Sequence, residues 1–185
     1  MRLDLIQAAT KLLITLGVAL LIPGASGATT TDEKQSLELL QGARTGWYVF
    51  SEFDDGICTY EKSLKQKAQP LIDEIAELGL KPIEREQISR DNLPDVTILV
   101  GVEAKATRES VSKNSCTIYV KVEVFHSMTG TLRYQVEPQP LRVLAYRTIW
   151  VDAAEADGIE KYLHQTALHA LAKFGFTYLQ ANPNK

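Results

Sequence analysis

Residues 116–124 read CTIYVKVEV, in which apolar and polar side chains alternate without a break. The apolar positions of this stretch are Cys116, Ile118, Val120, Val122 and Val124. The positions between them are Thr117, Tyr119, Lys121 and Glu123. Because successive side chains of a β-strand lie on opposite faces, this period of two predicts a strand with one buried and one polar face. A sheet with a polar face needs helices on one side only.

Three other segments upstream have strand character. Residues 96–102 form an unbroken apolar run, which predicts a strand at the centre of the sheet, covered on both faces or nearly so. Residues 47–53 are rich in aromatic and β-branched side chains and run into the turn signal of residues 54–56. Residues 81–83 predict a short edge strand, because Pro82 has no backbone N–H to donate.

The segment after residue 126 predicts a hairpin followed by a last strand. Residues 127–130 have turn composition, and residues 131–136 predict the returning arm. Pro138 and Pro140 then interrupt the pattern, and residues 143–151 predict a long final strand. Three large side chains of this strand are expected on one face: Leu144, Tyr146 and Trp150.

Two segments have helical periodicity. Apolar residues recur at helical spacing over residues 64–78, and Gly79 is placed to close that helix in the left-handed conformation. Pro70 leaves two alternatives, namely a helix that begins near Gln69 or an earlier turn that is kinked at the proline. An acidic link over residues 152–158 leads into a carboxy-terminal helix, with Asp157 as its predicted amino-terminal cap.

These elements predict an α+β fold, a two-layer sandwich. Its sheet has about five strands, is mixed but mostly antiparallel, and carries two amphipathic helices on one face. In the order of its elements the chain resembles small domains that recur in bacterial envelope accessory proteins, such as the amino-terminal domain of TolB. The resemblance implies this general architecture and gives no residue a role.

The first 28 residues have the order of an export signal. Arg2 and Lys11 precede an apolar run over residues 12–22, and small residues follow it. The run is about 11 residues long, whereas a membrane-spanning helix needs roughly 20. We therefore expect cleavage near residue 28 and a periplasmic or secreted protein with no stable membrane anchor. Retention of the signal as an anchor is the alternative, and no cysteine near the run is available for lipidation.

The predicted organisation after the signal is simple. Residues 29–45 form a polar lead-in, residues 46–180 a single α+β domain, and residues 181–185 a flexible tail. Without residues 1–28 the chain has 18 basic and 22 acidic side chains, a formal charge of −4. This acidic balance argues against a general nucleic-acid binder, which needs a basic face.

The chain has two cysteines, Cys58 and Cys116. In an oxidising compartment an isolated pair predicts a disulfide, which would stabilise the fold by about 4 kcal/mol through loop closure. The pair lacks Cys-x-x-Cys spacing, and neither cysteine has a second one nearby to complete a metal site. A thiol nucleophile paired with a distant histidine is the open alternative.

No motif in the chain predicts catalysis, a metal or a cofactor. His164 and His169 are five residues apart and would diverge by about 140° around a helix axis, so they predict no shared metal. His126 lies at a strand end, and we expect all three histidines to be ordinary surface or boundary residues. The carboxylates of residues 152–160 lack the spacing of a calcium loop. Because nucleophile and phosphate-loop motifs are absent as well, we expect no catalytic residue and a protein that is not an enzyme.

Aromatic side chains mark the candidate contact surface. Tyr119 and Lys121 lie on the polar face of their strand, and Tyr134, Tyr146 and Trp150 would share that face if the last strands pair. Half-exposed aromatic residues on a sheet are common at protein contacts. Core packing, or an amino-terminal segment lying across the sheet, would account for them equally well.

The function that these observations favour is a non-catalytic binding or assembly module of the bacterial cell envelope. It would contact a protein partner through its sheet face or edge strand, without a cofactor or a nucleic acid, and self-association stays open. One alternative is a secreted inhibitor or immunity protein for an envelope-acting enzyme. A third is a hydrolase whose site folding assembles from dispersed residues.

Overall fold

The computed structural model describes residues 33–89, 92–106, 115–130, 139–155 and 158–183. Within these residues there are three α-helices: α1 (Glu33–Leu40), α2 (Leu64–Glu77) and α3 (Ile159–Ala181). The strands are β1 (Thr45–Asp54), β2 (Lys81–Pro82), β3 (Val96–Ala106), β4 (Ser115–Gly130) and β5 (Gln139–Glu155). A short 3₁₀ turn, Arg85–Gln87, precedes β3.

The five strands form one mixed sheet in the order β2-β1-β3-β4-β5. β1 runs parallel to both β2 and β3, whereas β3, β4 and β5 are antiparallel neighbours. The predicted α+β sandwich is confirmed, with β3 at the centre of the sheet and β2, which contains Pro82, at one edge. β1 and β2 are parallel because α2 carries the chain back between them.

One face of the sheet packs against the helices. The even-numbered side chains of β3 and β4 belong to the same buried cluster as the apolar stripes of the helices. Among the largest fully buried members are Leu40, Leu64, Ile75, Leu163, Phe174 and Tyr178. The alternation in residues 116–124 therefore has the predicted result, since its apolar positions face the core.

The first residue of α2 decides between the two alternatives for Pro70. The helix begins at Leu64, so Pro70 lies inside it and an earlier turn is present. The helix ends as expected, because Gly79 has a φ of 105° in the left-handed region that favours glycine. The buried residues of α2 belong to the predicted amphipathic pattern.

The amino-terminal lead-in contains a helix that the sequence pattern did not predict. α1 places Leu40 in the core, and the segment after it is held by Asn182. The Asn182 Oδ1 atom accepts a hydrogen bond from the Gly42 N–H at 2.8 Å, and its Nδ2 donates to the Leu40 carbonyl at 3.1 Å. Asn182 is buried, so the first residues of the predicted tail are instead part of the packed structure.

The predicted turn at residues 127–130 is wrong. These residues continue β4 and pair with the start of β5, where Pro140 lies opposite Thr129. Long-range pairing thus overrides the local turn composition. The predicted returning arm, residues 131–136, lies outside the described residues, as does the predicted cap Asp157. The residue in the cap position of α3 is Gly158, and residues 152–155 of the predicted acidic link are the end of β5.

A β-bulge changes the faces of β5. The register pairs Val124 with Tyr146 but Phe125 with Leu144, so Ala145 is an extra residue. Leu144 therefore lies on the face opposite to that of Tyr146. The expectation that Leu144, Tyr146 and Trp150 share one face is wrong, because a single extra residue inverts the alternation.

Candidate functional site

The second face of the sheet has no described helix packed on it, and we call it the open face. Its side chains form four rows across β1, β3, β4 and β5, as the strand register shows. The rows are Phe53, Glu103, Tyr119 and Val151; Ser51, Gly101, Lys121 and Ile149; Val49, Leu99, Glu123 and Arg147; and Trp47, Thr97, Phe125 and Leu144.

Much of the open face is apolar and in contact with solvent. Phe53 is 51% exposed and Val151 is 43% exposed, at the two ends of one row. Trp47, Tyr119 and Phe125 are half-buried on the same face. Exposed apolar side chains that are grouped on one face favour a site that another molecule covers.

An ion cluster lies in the middle of the open face. Glu123 is only 7% exposed, and its Oε1 atom accepts hydrogen bonds from Arg147 Nε at 2.8 Å and Nη2 at 2.6 Å. Lys121 Nζ lies 3.2 Å from Oε2. Burial by itself would raise the pKa of Glu123, but the hydrogen bonds from Arg147 and Lys121 outweigh it and hold the pKa below its ordinary value.

Gly101 makes room for this cluster. A Cβ atom at Gly101 would lie 3.1 Å from Lys121 Cγ. The aliphatic stem of Lys121 therefore lies over the backbone of β3, while its ammonium group reaches Glu123. Glu123 is paired with both cations, and the cluster of two cations and one carboxylate keeps one net positive charge.

The structure divides the predicted contact residues between the two faces. Tyr119 and Lys121 are on the open face, as expected. Tyr146 pairs with Val124 and Trp150 pairs with Val120, so both lie on the helix-covered face. The expectation that they share a face with Tyr119 is wrong, because the strand register fixes the opposite alternation. Tyr134 lies outside the described residues.

Tyr146 and Trp150 have core contacts instead. Tyr146 is 4% exposed, its hydroxyl shares a hydrogen bond of 3.2 Å with Thr148 Oγ1, and burial raises the pKa of the phenol. The Tyr146 ring packs at a tilt against Phe174. Trp150 meets His169 edge to face, with 6.0 Å between ring centroids. These contacts correspond to the alternative of core packing.

The predicted disulfide between Cys58 and Cys116 is present, with an S–S distance of 1.99 Å. It joins the turn after β1 to the start of β4, at the end of the sheet where Phe53 is exposed. Asp55 organises the same turn, because its Oδ1 accepts from the Cys58 N–H at 2.8 Å and its Oδ2 from the Ala106 N–H at 2.6 Å. These backbone hydrogen bonds lower the pKa of the Asp55 carboxyl.

A polar cluster surrounds the buried His164, and sequence reasoning missed it. His164 is 3% exposed, although we expected a surface or boundary residue. Its Nδ1 lies 2.8 Å from Lys67 Nζ, and its Nε2 lies 3.5 Å from Glu52 Oε1, too long for a full hydrogen bond. Lys67 also donates to Glu160 at 2.7 Å. The Tyr60 ring meets the imidazole edge to face at 6.0 Å.

The His164 cluster connects three elements. Glu52 is on β1, Lys67 on α2, and Glu160 and His164 on α3. Glu52 also accepts a hydrogen bond from the Leu64 N–H at 3.2 Å. This hydrogen bond satisfies a backbone donor in the first turn of α2 that has no partner within the helix. Burial and the nearby Lys67 charge lower the pKa of His164, opposed by Glu52 and Glu160. The one signal in the sequence was helical spacing, since His164 is next to Leu163 on the apolar stripe.

The other histidines do not join this cluster. His169 packs against Trp150 and His164 against Tyr60, so the two rings have different neighbours, as their spacing predicts. Burial and Lys173 lower the pKa of His169. Among the described residues no group of three or more His, Cys, Asp or Glu side chains could hold a metal ion. None of the helices in the described ranges is long and apolar enough to cross a membrane.

Comparison with known proteins finds only a weak structural similarity. No protein-family model matches the chain, and no curated protein matches it in sequence. Two similar solved structures are PelC dodecamers from Paraburkholderia phytofirmans, one of them a point variant. The variant is 10% identical with a TM-score of 0.38, and the other is 8% identical with a TM-score of 0.37. Each match covers 79% of this chain and 97% of the PelC chain. These TM-scores are too low to support an assignment of function.

Proposed function

We propose that this chain is an exported, non-catalytic binding or assembly module of the bacterial cell envelope. It contacts a protein partner through the open face of its sheet. The observation that carries this proposal is the group of exposed and half-buried apolar side chains in the four cross-strand rows, on which no described helix packs. A surface with Phe53 and Val151 exposed in one row costs free energy in water, and a partner that covers it removes that cost.

The composition of the open face indicates the kind of partner. The buried carboxylate of Glu123 is paired with both Arg147 and Lys121, and the two cations leave one net positive charge at the centre of the face. Binding there depends on apolar and aromatic contacts, with Tyr119 as a residue type that interfaces favour. A protein with an apolar surface and an acidic group opposite this cluster is the partner that fits the face.

Export is supported by the disulfide. Cys58 and Cys116 are both buried and bonded to each other, and structural disulfides persist in oxidising compartments such as the periplasm. The charged and apolar order of the first 22 residues supports the same localisation. A partner in the cell envelope follows from this localisation.

We also propose that the protein is not an enzyme. The acid–base cluster around His164 is tied into the fold, because Glu52 accepts from the start of α2 and Lys67 bridges to Glu160. These contacts join β1, α2 and α3, and they give the cluster a structural role. In an enzyme, a positioned acid or base would instead face a substrate.

A photo-crosslinking experiment in intact cells tests the proposal. A photoreactive phenylalanine replaces Phe53 on the open face, and the matched control replaces Phe176, which is 38% exposed on α3 in the helix layer. We expect one protein to be captured near stoichiometrically from position 53 and not from position 176. Capture of that protein should also be lost in Tyr119→Glu, which places a charge on the face.

Three results would argue against the proposal. Capture from both positions alike would mean that the open face is not the site. Repeated absence of a captured protein would remove the support for a protein-binding module. Capture of a wall-degrading or proteolytic enzyme that the purified protein inhibits would favour the inhibitor alternative.

A further inference from the structure

β5 is the second edge strand of the sheet, and one hydrogen bond shows which of its backbone groups point away from β4. Its only strand neighbour in the described residues is β4. The Ala153 N–H donates to Asp152 Oδ1 at 2.8 Å, which shows that this N–H points away from β4. In an antiparallel ladder the direction alternates, so the N–H and C=O groups of Arg147, Ile149 and Val151 also point outward.

The two ends of this outer edge are poorly suited to binding another strand, whereas its middle is well suited to it. Pro140 lies opposite Thr129 at an outward position, where its missing N–H costs no bond to β4. The bulge at Ala145 bends the strand, and the Asp152 side chain occupies the N–H of Ala153. Between them, three consecutive outward residues retain backbone donors and acceptors that fit an added strand.

The charges along β5 indicate which molecule supplies the added strand. Arg142 near the amino end and Glu155 at the carboxyl end are both exposed, and neither forms an ion pair within the described residues. A two-fold axis pairs a strand with itself in the antiparallel direction. We propose that the outer edge of β5 binds a second copy of this chain, with the two β5 strands antiparallel and centred on Ile149.

This register makes the two edges complementary. Ile149 faces Ile149 of the second copy, and Arg147 faces Val151 of the second copy. Because Ala145 is an extra residue of the bulge, Arg142 comes directly opposite Glu155 of the second copy, on the open-face side. Two symmetric ion pairs thus flank an aliphatic centre. The two five-stranded sheets become one of ten strands, and their open faces become continuous.

Charge exchange tests this pairing without changing the backbone. The molar mass of the purified mature protein is measured by sedimentation equilibrium over a range of concentrations. We expect a dimer that Arg142→Glu and Glu155→Arg each weaken by about tenfold in Kd, since each places like charges at both symmetric positions. The double variant should restore the wild-type Kd, because the ion pairs re-form with reversed sign.

A backbone test uses Val151, whose outward N–H makes no bond to β4. Val151→Pro removes this N–H and should abolish the dimer while the monomer keeps its circular dichroism spectrum. Val151→Thr retains the N–H as the matched control and should leave the dimer intact. A monomer at every concentration, a dimer that Val151→Pro leaves unchanged, or a double charge exchange that fails to restore Kd would each overturn the proposal.

Dimerisation through β5 does not require the partner of the open face. The mass is measured on purified protein, whereas the proposed function is tested by capture from position 53 in cells. A dimer without a captured partner would contradict the proposed function alone, and a captured partner with a monomer would contradict this inference alone.

Discussion

The ammonium group of Lys67 lies 2.8 Å from Nδ1 of the buried His164. An ammonium group has donors and no acceptor, so Nδ1 accepts the hydrogen bond and the imidazole is neutral. The proton of the ring is then on Nε2, which faces Glu52. Protonation of Nδ1 would break the contact with Lys67 and place the cation of the buried imidazole beside the Lys67 ammonium.

This geometry predicts an acid-sensitive fold. The pKa of His164 in the folded protein is below its ordinary value of 6.5, so its contribution to stability is complete above about pH 6.5 and is lost as the pH falls through the folded pKa. We expect the free energy of unfolding in urea to decrease from about pH 7.5 to about pH 5.5, and to decrease less in His164→Gln. His126→Gln, which removes a histidine outside the His164 cluster, is the control. Equal slopes in all three proteins would contradict the prediction.

The disulfide should account for a large part of the stability. Cys58 and Cys116 are 58 residues apart, and the loop that they close is worth about 4 kcal/mol on the chain-entropy model. Reduction by dithiothreitol should therefore lower the free energy of unfolding by several kcal/mol. The Cys58→Ala, Cys116→Ala double variant should have the stability of the reduced protein and should not respond to dithiothreitol. An unchanged urea midpoint after complete reduction would refute this.

The Glu123 carboxylate should be the most sensitive charge of the open face. Glu123→Gln leaves Arg147 and Lys121 beside each other without their shared anion, and we expect a loss of about 1–3 kcal/mol in unfolding free energy. Glu103→Gln is the matched control. Glu103 is paired with Lys105 on the same face but is more exposed, so its loss should stay below about 1 kcal/mol. Similar losses in the two variants would show that burial of Glu123 is unimportant.

Close packing at Gly46 should make this position intolerant of a side chain. A Cβ atom there would lie 2.9 Å from Ile98 Cδ1 and 3.3 Å from Leu80 Cγ. Gly46→Ala should therefore lower the unfolding free energy by about 1–3 kcal/mol through overpacking. Gly158→Ala has nothing within 4 Å of the added atom and should change stability by less than about 1 kcal/mol. Thermal unfolding of both variants decides the matter, and equal midpoints would be the contrary outcome.

The intact mass of the exported protein tests the amino-terminal prediction. Mass spectrometry under non-reducing conditions should show the loss of about 28 residues. It should also show a deficit of two hydrogens that is reversed by reduction, as the disulfide requires. A full-length mass in the exported fraction would mean that the signal is retained as an anchor.

Local patterns were sufficient for the elements whose side chains repeat at a fixed period. The alternation in residues 116–124 predicts β4 and its buried face, and the helical spacing that ends at Gly79 predicts α2. The unbroken apolar run of residues 96–102 predicts the central strand. The pairing of Cys58 with Cys116 follows as well, from two cysteines and an expected oxidising compartment. Each of these features depends on the local pattern of residues or on composition. The amino-acid sequence contains this information without the tertiary structure.

The tertiary structure alone decided which residues the open face contains and which polar side chains are buried. Ala145 looks like any strand residue, yet as the extra residue of a bulge it puts Leu144 and Tyr146 on opposite faces. His164 is buried because Lys67 and Glu52, about 100 residues away in sequence, converge on it. The sequence by itself therefore determined the layers and the disulfide, since these follow from periodicity and composition. Strand register and the convergence of distant charges are properties of long-range pairing, and only folding determines them.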